Sequence, residues 1–230
     1  MPTQDDVIST QRARLRSVQP LNATQPLKVE GSKAVLRIYQ NVDDWGGPWG
    51  LSAAELTEQL DALPATVETI ELRINSYGGA IFEAVTMMNA LRSHPARVVA
   101  VVEGLAASAA SFLAVSADET VMMPSSRMML HSAWSIAIGN ASDMRAMADL
   151  LDALTLDIAE VYAGKTGEDA SVWLDRLQSD VWYSAQECVD AGLADRIEVG
   201  PKNSEDPASS DDGEAQSRFD PSLSLALLDL

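Results

Sequence analysis

The chain has 230 residues, of which 34 are acidic and 16 are basic, so its formal net charge is −18 at pH 7. Binding to nucleic acid or to an anionic membrane depends mainly on Lys and Arg, and this charge argues against both. Hydrophobic residues make up 47% of the chain. That is enough to fill the core of one large domain or two small ones, which argues against a disordered chain.

Short β-rich segments alternate with amphipathic helical patterns between residues 35 and 199, which is typical of an α/β domain. Strands are predicted at residues 35–40, 69–75, 97–103, 120–123, 128–131 and 194–199. Helices are predicted from the Ser52 capping box to Leu63, from Ile81 to a point before Pro95, from Gly104 to Ala117, from Ser142 to Gly164, and from Ser184 to Gly192.

The two ends of the chain differ from this body in composition. Residues 1–34 are polar, without clear periodicity, and are predicted to form an arm that is poorly ordered or binds a partner. Residues 201–230 are rich in acidic residues, Pro and Ser, and are predicted to form a flexible tail. The body between them, residues 35–200, is predicted to be one domain.

The compartment is indicated by the single cysteine and by the first residues. Cys188 cannot form an intramolecular disulfide. Residues 1–19 lack the apolar region of a secretory signal. We therefore expect a protein of the reducing cytoplasm.

Three segments that follow predicted strands are candidates for chemistry. Ser108 lies near the start of a predicted helix, where backbone N–H groups and the helix dipole can face a developing oxyanion. His131 ends an apolar strand, whereas His94 lies in a polar turn before Pro95. The pair Gly78-Gly79 lets the backbone approach a ligand. Each feature taken singly also fits a plain structural role: close helix packing, a structural histidine, or an ordinary turn.

In combination, four motifs resemble those of the Clp-type serine peptidases in order and spacing, over about residues 35 to 199. They are Ile74-Asn-Ser-Tyr-Gly-Gly79, Gly104-Leu-Ala-Ala-Ser108, Met128-Met-Leu-His131 and Asp180-Val-Trp-Tyr-Ser-Ala-Gln-Glu187. Within the family the chain is most similar to the Clp-like head maturation (prohead) proteases of tailed bacteriophages, through residues 103–111, Trp134 and residues 162–167. The resemblance implies a single-domain α/β fold, the Clp/crotonase-like spiral of β-β-α units.

The resemblance also implies a role for each matching residue. Ser108 would be the nucleophile, His131 the general base and then acid, and Asp180 the group that orients the imidazole. A serine hydroxyl is a weak nucleophile until a base takes its proton, and the base must be held in one tautomer. The backbone N–H groups of Gly79 and Ala109 would form the oxyanion hole.

The family's mode of substrate binding is an extended peptide that adds as a strand to the enzyme. Here the resemblance places that peptide beside Gly78, Ala80, Ser132 and Ala133. It implies no cofactor and no metal.

Two positions depart from the family pattern, and several assignments have competitors. Tyr77 stands where the family usually has Pro, and Ala109 where the Clp proteolytic subunit has Met. Asp175 and Asp190 lie near Asp180 in the sequence and compete with it for the third role. Candidates for the wall of the substrate pocket, which could equally be core packing, are Trp134, Tyr77 and Trp182.

The resemblance implies a serine endopeptidase that acts through an acyl-enzyme and matures capsid and scaffold proteins inside a phage prohead, in the bacterial host cytoplasm. It implies a ring-shaped homo-oligomer, with possible stacking of rings. The helix at residues 142–164 would be an inter-subunit element, although its Met and Leu stripe also fits an intramolecular core. An ATPase partner is not expected, because residues 1–34 do not resemble the segment by which the Clp proteolytic subunit engages its unfoldase.

Other functions are compatible with parts of this pattern. A crotonase-type acyl-CoA enzyme shares the fold and holds an enolate with paired N–H groups, but it needs no nucleophilic serine. A Ser/Lys peptidase would need a lysine near Ser108, and none of the lysines lies in a motif (Lys28, Lys33, Lys165, Lys202). A non-catalytic assembly or scaffold protein could keep the fold and use the acidic tail for contacts.

Overall fold

The structure is a computed structural model that describes residues 28–198. Its strands are β1 (Lys28–Glu30), β2 (Lys33–Ile38), β3 (Thr69–Ser76), β4 (Arg97–Ala107), β5 (Glu119–Met122), β6 (Arg127–Leu130), β7 (Val181–Ser184) and β8 (Arg196–Ile197). Its helices are α1 (Ala53–Asp61), α2 (Ile81–Ser93), α3 (Ala109–Val115), α4 (Ala141–Thr166), α5 (Ala170–Arg176) and α6 (Ala185–Asp190).

The strands form one mixed sheet in the order β1-β2-β3-β4-β5-β8. Strands β2, β3, β4, β5 and β8 run parallel, and β1 closes the edge as an antiparallel neighbour of β2. The long strand β4 pairs with β5 in its first half and with β6 in its second half, and β7 pairs antiparallel with β6. The residues that follow β3, β4 and β6 therefore meet at the carboxyl edge of the sheet, where α/β proteins place their sites.

The two faces of the sheet differ because side chains alternate along each strand. Ile70, Leu72 and Ile74 of β3 are fully buried in the apolar core. Between them, Glu71 and Arg73 lie on the opposite face and form an ion pair with each other. Neighbouring strands extend the charged network with Lys33 on Glu71 and Glu103 on Arg73.

Helix starts follow the capping residues. Ser52 accepts a hydrogen bond from the Glu55 N–H in the predicted capping box of α1. Helix α4 begins at Ala141 rather than at the predicted Ser142, because the Asn140 side chain accepts from the Ser142 and Asp143 N–H groups. No helix within residues 28–198 is long and apolar enough to cross a membrane.

The junction after β4 differs from the sequence prediction. The strand was expected to end at residue 103 and a helix to begin at Gly104, but β4 continues to Ala107. Strand β6 supplies pairing partners for residues 105–107, and Asn75 Oδ1 accepts from the Leu105 N–H at 3.1 Å. Sheet pairing overrides the helical preference of this small-residue segment, so the helix starts only after Ser108.

Three further elements were not predicted: β1, α5 and β7. Residues 28–34, assigned from the sequence to an N-terminal arm, form β1 and the start of β2. The rest of that arm, residues 1–27, and the predicted tail, residues 201–230, lie outside the described residues.

Only half of helix α4 packs on the core. Leu154, Ile158 and Tyr162 in its second half are buried. In its first half, Met144 and Leu150 are 37% and 42% exposed. The apolar stripe predicted from the sequence is therefore partly core and partly surface.

Candidate active site

Ser108 lies at the turn between β4 and α3. Its backbone has φ 53° and ψ −127°, a combination that L-residues avoid unless the surroundings hold them there. The Ser108 N–H donates to the Met129 carbonyl of β6 at 2.8 Å, so pairing between β4 and β6 continues up to the turn. Such strained turns cluster at functional sites, which supports a chemical role for this serine.

Ser108 lines a cavity of about 490 Å³ between the sheet edge and helix α4. His131, which follows the neighbouring strand β6, lines the same cavity. The other residues predicted for the site that line it are Gly79, Ala80, Ala109, Ser132 and Ala133. Separate strand ends thus bring together the residues that the sequence proposed for nucleophile, base, oxyanion hole and substrate contact.

Gly78 lies directly against the Ser108 turn. A Cβ at this position would lie 2.5 Å from the Ala107 carbonyl oxygen and 2.9 Å from the Ser108 Cβ. Its φ is also positive, at 85°. Glycine is required here because the two turns touch through their backbones.

Two backbone donors at the cavity are unpaired. Within residues 28–198, the N–H groups of Gly79 and Ala109 have no hydrogen-bond acceptor. The turn that carries Gly79 is fixed on both sides of that residue: the Val42 N–H donates to the Gly78 carbonyl, and the Ala80 N–H donates to the Val42 carbonyl, each at 2.8 Å. Fixed, unsatisfied donors of this kind suit the binding of a developing oxyanion.

The imidazole of His131 is half-buried and oriented by its own chain. Its Nδ1 lies 2.6 Å from the Ser132 carbonyl oxygen. A carbonyl can only accept, so Nδ1 carries the proton and Nε2 is free to accept one. No hydrogen bond joins the Ser108 hydroxyl to His131 within the described part of the chain. Bonds of this type often tighten only when substrate binds.

Asp180 forms no hydrogen bond or ion pair with His131 within residues 28–198. Its side chain is exposed and has no hydrogen bond or ion pair with any residue between 28 and 198. The Ser132 carbonyl occupies Nδ1 instead. Leu130 of β6 pairs with Val181 of β7, and one further step in this register would set His131 opposite Asp180. The role of Asp180 therefore stays a proposal.

The cavity wall is mainly apolar, and sequence reasoning missed most of it. Of the three aromatic candidates, Trp134 lines the cavity and is 70% exposed, whereas Tyr77 and Trp182 are exposed elsewhere on the described surface. The wall residues that were not singled out are Asp44, Ile81, Phe82, Glu83, Phe112, Ser135, Met147, Leu150, Leu151, Leu154, Ile158 and Tyr162. Most belong to the apolar faces of α2, α3 and α4, a pattern that indicates burial without distinguishing core from cavity.

The only cysteine is not a second nucleophile. Cys188 is fully buried in α6. Burial raises the pKa of its thiol to about 12, so the thiolate that cysteine chemistry needs is not formed near neutral pH.

Comparisons with known proteins identify relatives of this chain. The family described as Clp protease matches residues 38–200. The chain is 30% identical over 205 residues to the ATP-dependent Clp protease proteolytic subunit of Bacteroides thetaiotaomicron, covering 84% of this chain and 90% of that protein. It is 32% identical over 150 residues to proteolytic subunit 1 of Leifsonia xyli subsp. xyli, covering 64% of this chain and 76% of the relative.

A third relative is matched over a shorter region. This is proteolytic subunit 3 of the ATP-dependent Clp protease of Rhodococcus jostii, 30% identical over 130 residues. The match covers 56% of this chain and 64% of that protein, so the chain spans just under two thirds of this relative's length.

Proposed function

The chain belongs to the Clp protease family, and from this membership and the cavity geometry we propose a serine endopeptidase that acts through an acyl-enzyme on Ser108. The α/β, Clp/crotonase-like single-domain fold expected from the sequence agrees with the family match. The main support for this proposal is the arrangement of groups around Ser108. A serine in a strained turn shares a cavity with an imidazole whose Nε2 is free and with two unpaired N–H groups.

In the first half of the reaction, the Ser108 Oγ attacks the carbonyl carbon of the scissile peptide bond while His131 Nε2 takes the hydroxyl proton. The carbonyl π electrons move to oxygen, and the Gly79 and Ala109 N–H groups hold the resulting oxyanion. A single donor of this kind lowers the barrier by about 3 kcal/mol. The intermediate then collapses, the C–N bond breaks, and the imidazolium gives its proton to the leaving amine.

In the second half, water takes the place of the serine hydroxyl. His131 removes a proton from the water as its oxygen attacks the ester carbonyl, and the Ser108 Oγ leaves and takes that proton back. The substrate would lie extended beside Gly78 and Ala80 on one side and Ser132 and Ala133 on the other. The anchoring of Ser132 to the Leu177 carbonyl, through its N–H at 2.8 Å and its hydroxyl at 2.6 Å, supports a rigid wall on that side.

Asp180 is proposed as the carboxylate that stabilises the His131 imidazolium, in a geometry in which it displaces the Ser132 carbonyl from Nδ1. We expect Asp180→Asn to lower kcat about tenfold, because the Ser132 carbonyl still holds the correct tautomer and only the charge is lost. The measurement is steady-state hydrolysis of a fluorogenic peptide by the purified chain. Asp175→Asn and Asp190→Asn serve as matched controls. A loss confined to either control would transfer the role to that residue.

Members of the Clp protease family assemble into ring-shaped homo-oligomers, and we propose the same for this chain, with possible stacking of rings. The support is a set of exposed apolar side chains within residues 134–150. Trp134, Ile136 and Ile138 precede α4 and are 70%, 62% and 70% exposed, and Met144 and Leu150 follow in its first half. An exposed apolar surface of this kind is typical of a protein interface.

The relatives are named as proteolytic subunits of ATP-dependent proteases. For this chain, in contrast, we propose activity without an ATPase partner. The support is that residues 1–34 do not resemble the segment through which the Clp proteolytic subunit engages its unfoldase. The polypeptide substrates of this chain would then be proteins that reach it without an unfoldase, as in a closed particle.

The finer role we propose is maturation of capsid and scaffold proteins inside a phage prohead. The support is the resemblance of residues 103–111, Trp134 and residues 162–167 to the head maturation branch. The test is co-expression of the chain with the capsid and scaffold proteins encoded beside its gene, followed by mass spectrometry of the particles. Cleaved capsid or scaffold protein with the wild type, and none with Ser108→Ala, is the expected result. Intact proteins in assembled particles that contain active wild-type enzyme would contradict the role.

A further inference from the structure

A buried chain of hydroxyl groups ends on the backbone of the nucleophile. The Ser111 Oγ donates to the Ser108 carbonyl oxygen at 2.6 Å, and the Ser111 N–H donates to the same oxygen at 2.9 Å. The Tyr162 hydroxyl, from helix α4, lies 2.7 Å from the Ser111 Oγ. Both side chains are at least 99% buried, with exposures of 0% for Ser111 and 1% for Tyr162.

The direction of the bonds follows from the available protons. Ser111 has one hydroxyl hydrogen, and the Ser108 carbonyl can only accept, so that hydrogen lies between them. Tyr162 must therefore donate to the Ser111 Oγ. Burial raises the pKa of the Tyr162 phenol well above its ordinary value, against the smaller opposing effect of the Ser111 hydrogen bond, so the proton stays on Tyr162 throughout the working pH range.

The carbonyl of Ser108 and the N–H of Ala109 belong to one planar peptide group, so holding the first fixes the direction of the second. The Ala109 N–H is one of the two unpaired donors at the cavity. Ser108 has a strained backbone, with φ 53°, which must be held by its surroundings. We propose that Ser111 and Tyr162 are positioning residues that hold the Ser108–Ala109 peptide with its N–H aimed at the oxyanion.

This inference rests on the proposed function, since it assigns the Ala109 N–H to the oxyanion hole. It makes a specific kinetic prediction. An oxyanion donor acts in the transition state, so its misalignment lowers kcat and leaves KM unchanged. We expect a loss of about tenfold in kcat for Ser111→Ala and of about threefold for Tyr162→Phe. The double variant should lose no more than Ser111→Ala alone, because Tyr162 acts only through Ser111.

Two matched controls separate positioning from stability. Ser116→Ala removes an equivalent bond at the other end of α3, where the Ser116 Oγ donates to the Leu113 carbonyl at 2.9 Å, away from the cavity. Tyr183→Phe removes a nearby phenol whose hydroxyl makes no hydrogen bond within residues 28–198. Both controls should keep the wild-type kcat, whatever they do to the melting temperature.

The experiment is steady-state hydrolysis of a fluorogenic peptide by the full chain, with thermal unfolding measured on every variant. A selective fall in kcat for Ser111→Ala and Tyr162→Phe, with a non-additive double variant, is expected. Wild-type kcat in a folded Ser111→Ala protein, or equal losses in the controls, would overturn the inference while leaving the protease in place. If Ser111→Ala does not fold, Tyr162→Phe decides alone, and an unchanged kcat overturns the inference. An inactive wild type would overturn the proposed function together with it.

Discussion

Replacing Ser108 by Ala is expected to lower kcat for peptide hydrolysis by about 10⁵- to 10⁶-fold, to the level left by binding and oxyanion stabilisation alone. The chain's one cysteine cannot take over as nucleophile, because the buried Cys188 thiol stays protonated. Because Ser108 and His131 act as one unit, the double variant Ser108→Ala with His131→Ala should be no less active than either single variant. Hydrolysis of a fluorogenic peptide at high enzyme concentration measures the residual rate.

The backbone at Ser108 gives this prediction an internal control. Its φ of 53° and ψ of −127° favour glycine over any L-residue. Ser108→Gly should therefore be as inactive as Ser108→Ala, yet raise the free energy of unfolding by about 1 kcal/mol, because strain held for function is released. An Ala variant that still turns over substrate at a rate within tenfold of the wild type would remove Ser108 from the mechanism.

Gly79→Ala is expected to lower activity and stability together. A Cβ at Gly79 would lie 1.9 Å from the Val42 carbonyl oxygen, in a backbone with φ 146°. The turn must move, and the hydrogen bond from the Ala80 N–H to that oxygen, now 2.8 Å, must break. Displacing the Gly79 N–H should lower kcat about 10²- to 10³-fold. The free energy of unfolding should fall by about 2–4 kcal/mol.

Gly167→Ala is the matched control for backbone strain without a steric clash. Gly167 ends α4 with φ 78°, and a Cβ added at this position would meet no neighbouring group within 4 Å. Its substitution should lower the free energy of unfolding by about 1 kcal/mol and leave kcat unchanged. Urea unfolding and peptide hydrolysis, measured on both variants, separate the two effects. Full activity in a folded Gly79→Ala protein would exclude this N–H from the oxyanion hole.

Sequence reasoning located His131 and the Gly78-Gly79 turn correctly at strand ends, because each follows an apolar run that pairs in the sheet. It predicted that the helix begins at Gly104, whereas β4 continues to Ala107 and the helix begins only after Ser108. The reason is that β6, the partner strand that extends β4, is distant in sequence. Local propensity cannot register a pairing that depends on residues 127–130.

Side-chain contacts between segments that are distant in sequence could not be predicted from local patterns. The hydrogen bond between Ser111 and Tyr162 joins residues that are 51 positions apart, and nothing in either local pattern indicates it. The apolar face of α4 was predicted, but its division into a buried second half and an exposed first half depends on where the helix leaves the core. Asp180 illustrates the converse: it is a motif residue that makes no hydrogen bond or ion pair with His131 within residues 28–198.

The most direct test of the account is labelling of the full chain with a fluorophosphonate, followed by mass spectrometry of its peptides. An activated serine attacks phosphorus and displaces fluoride, which leaves a stable adduct on its oxygen. We predict one adduct, on Ser108, that forms with the wild type and is lost in Ser108→Ala and His131→Ala. A folded wild-type protein that stays unlabelled, or that carries its adduct on another serine, would contradict the assignment of Ser108 as the nucleophile.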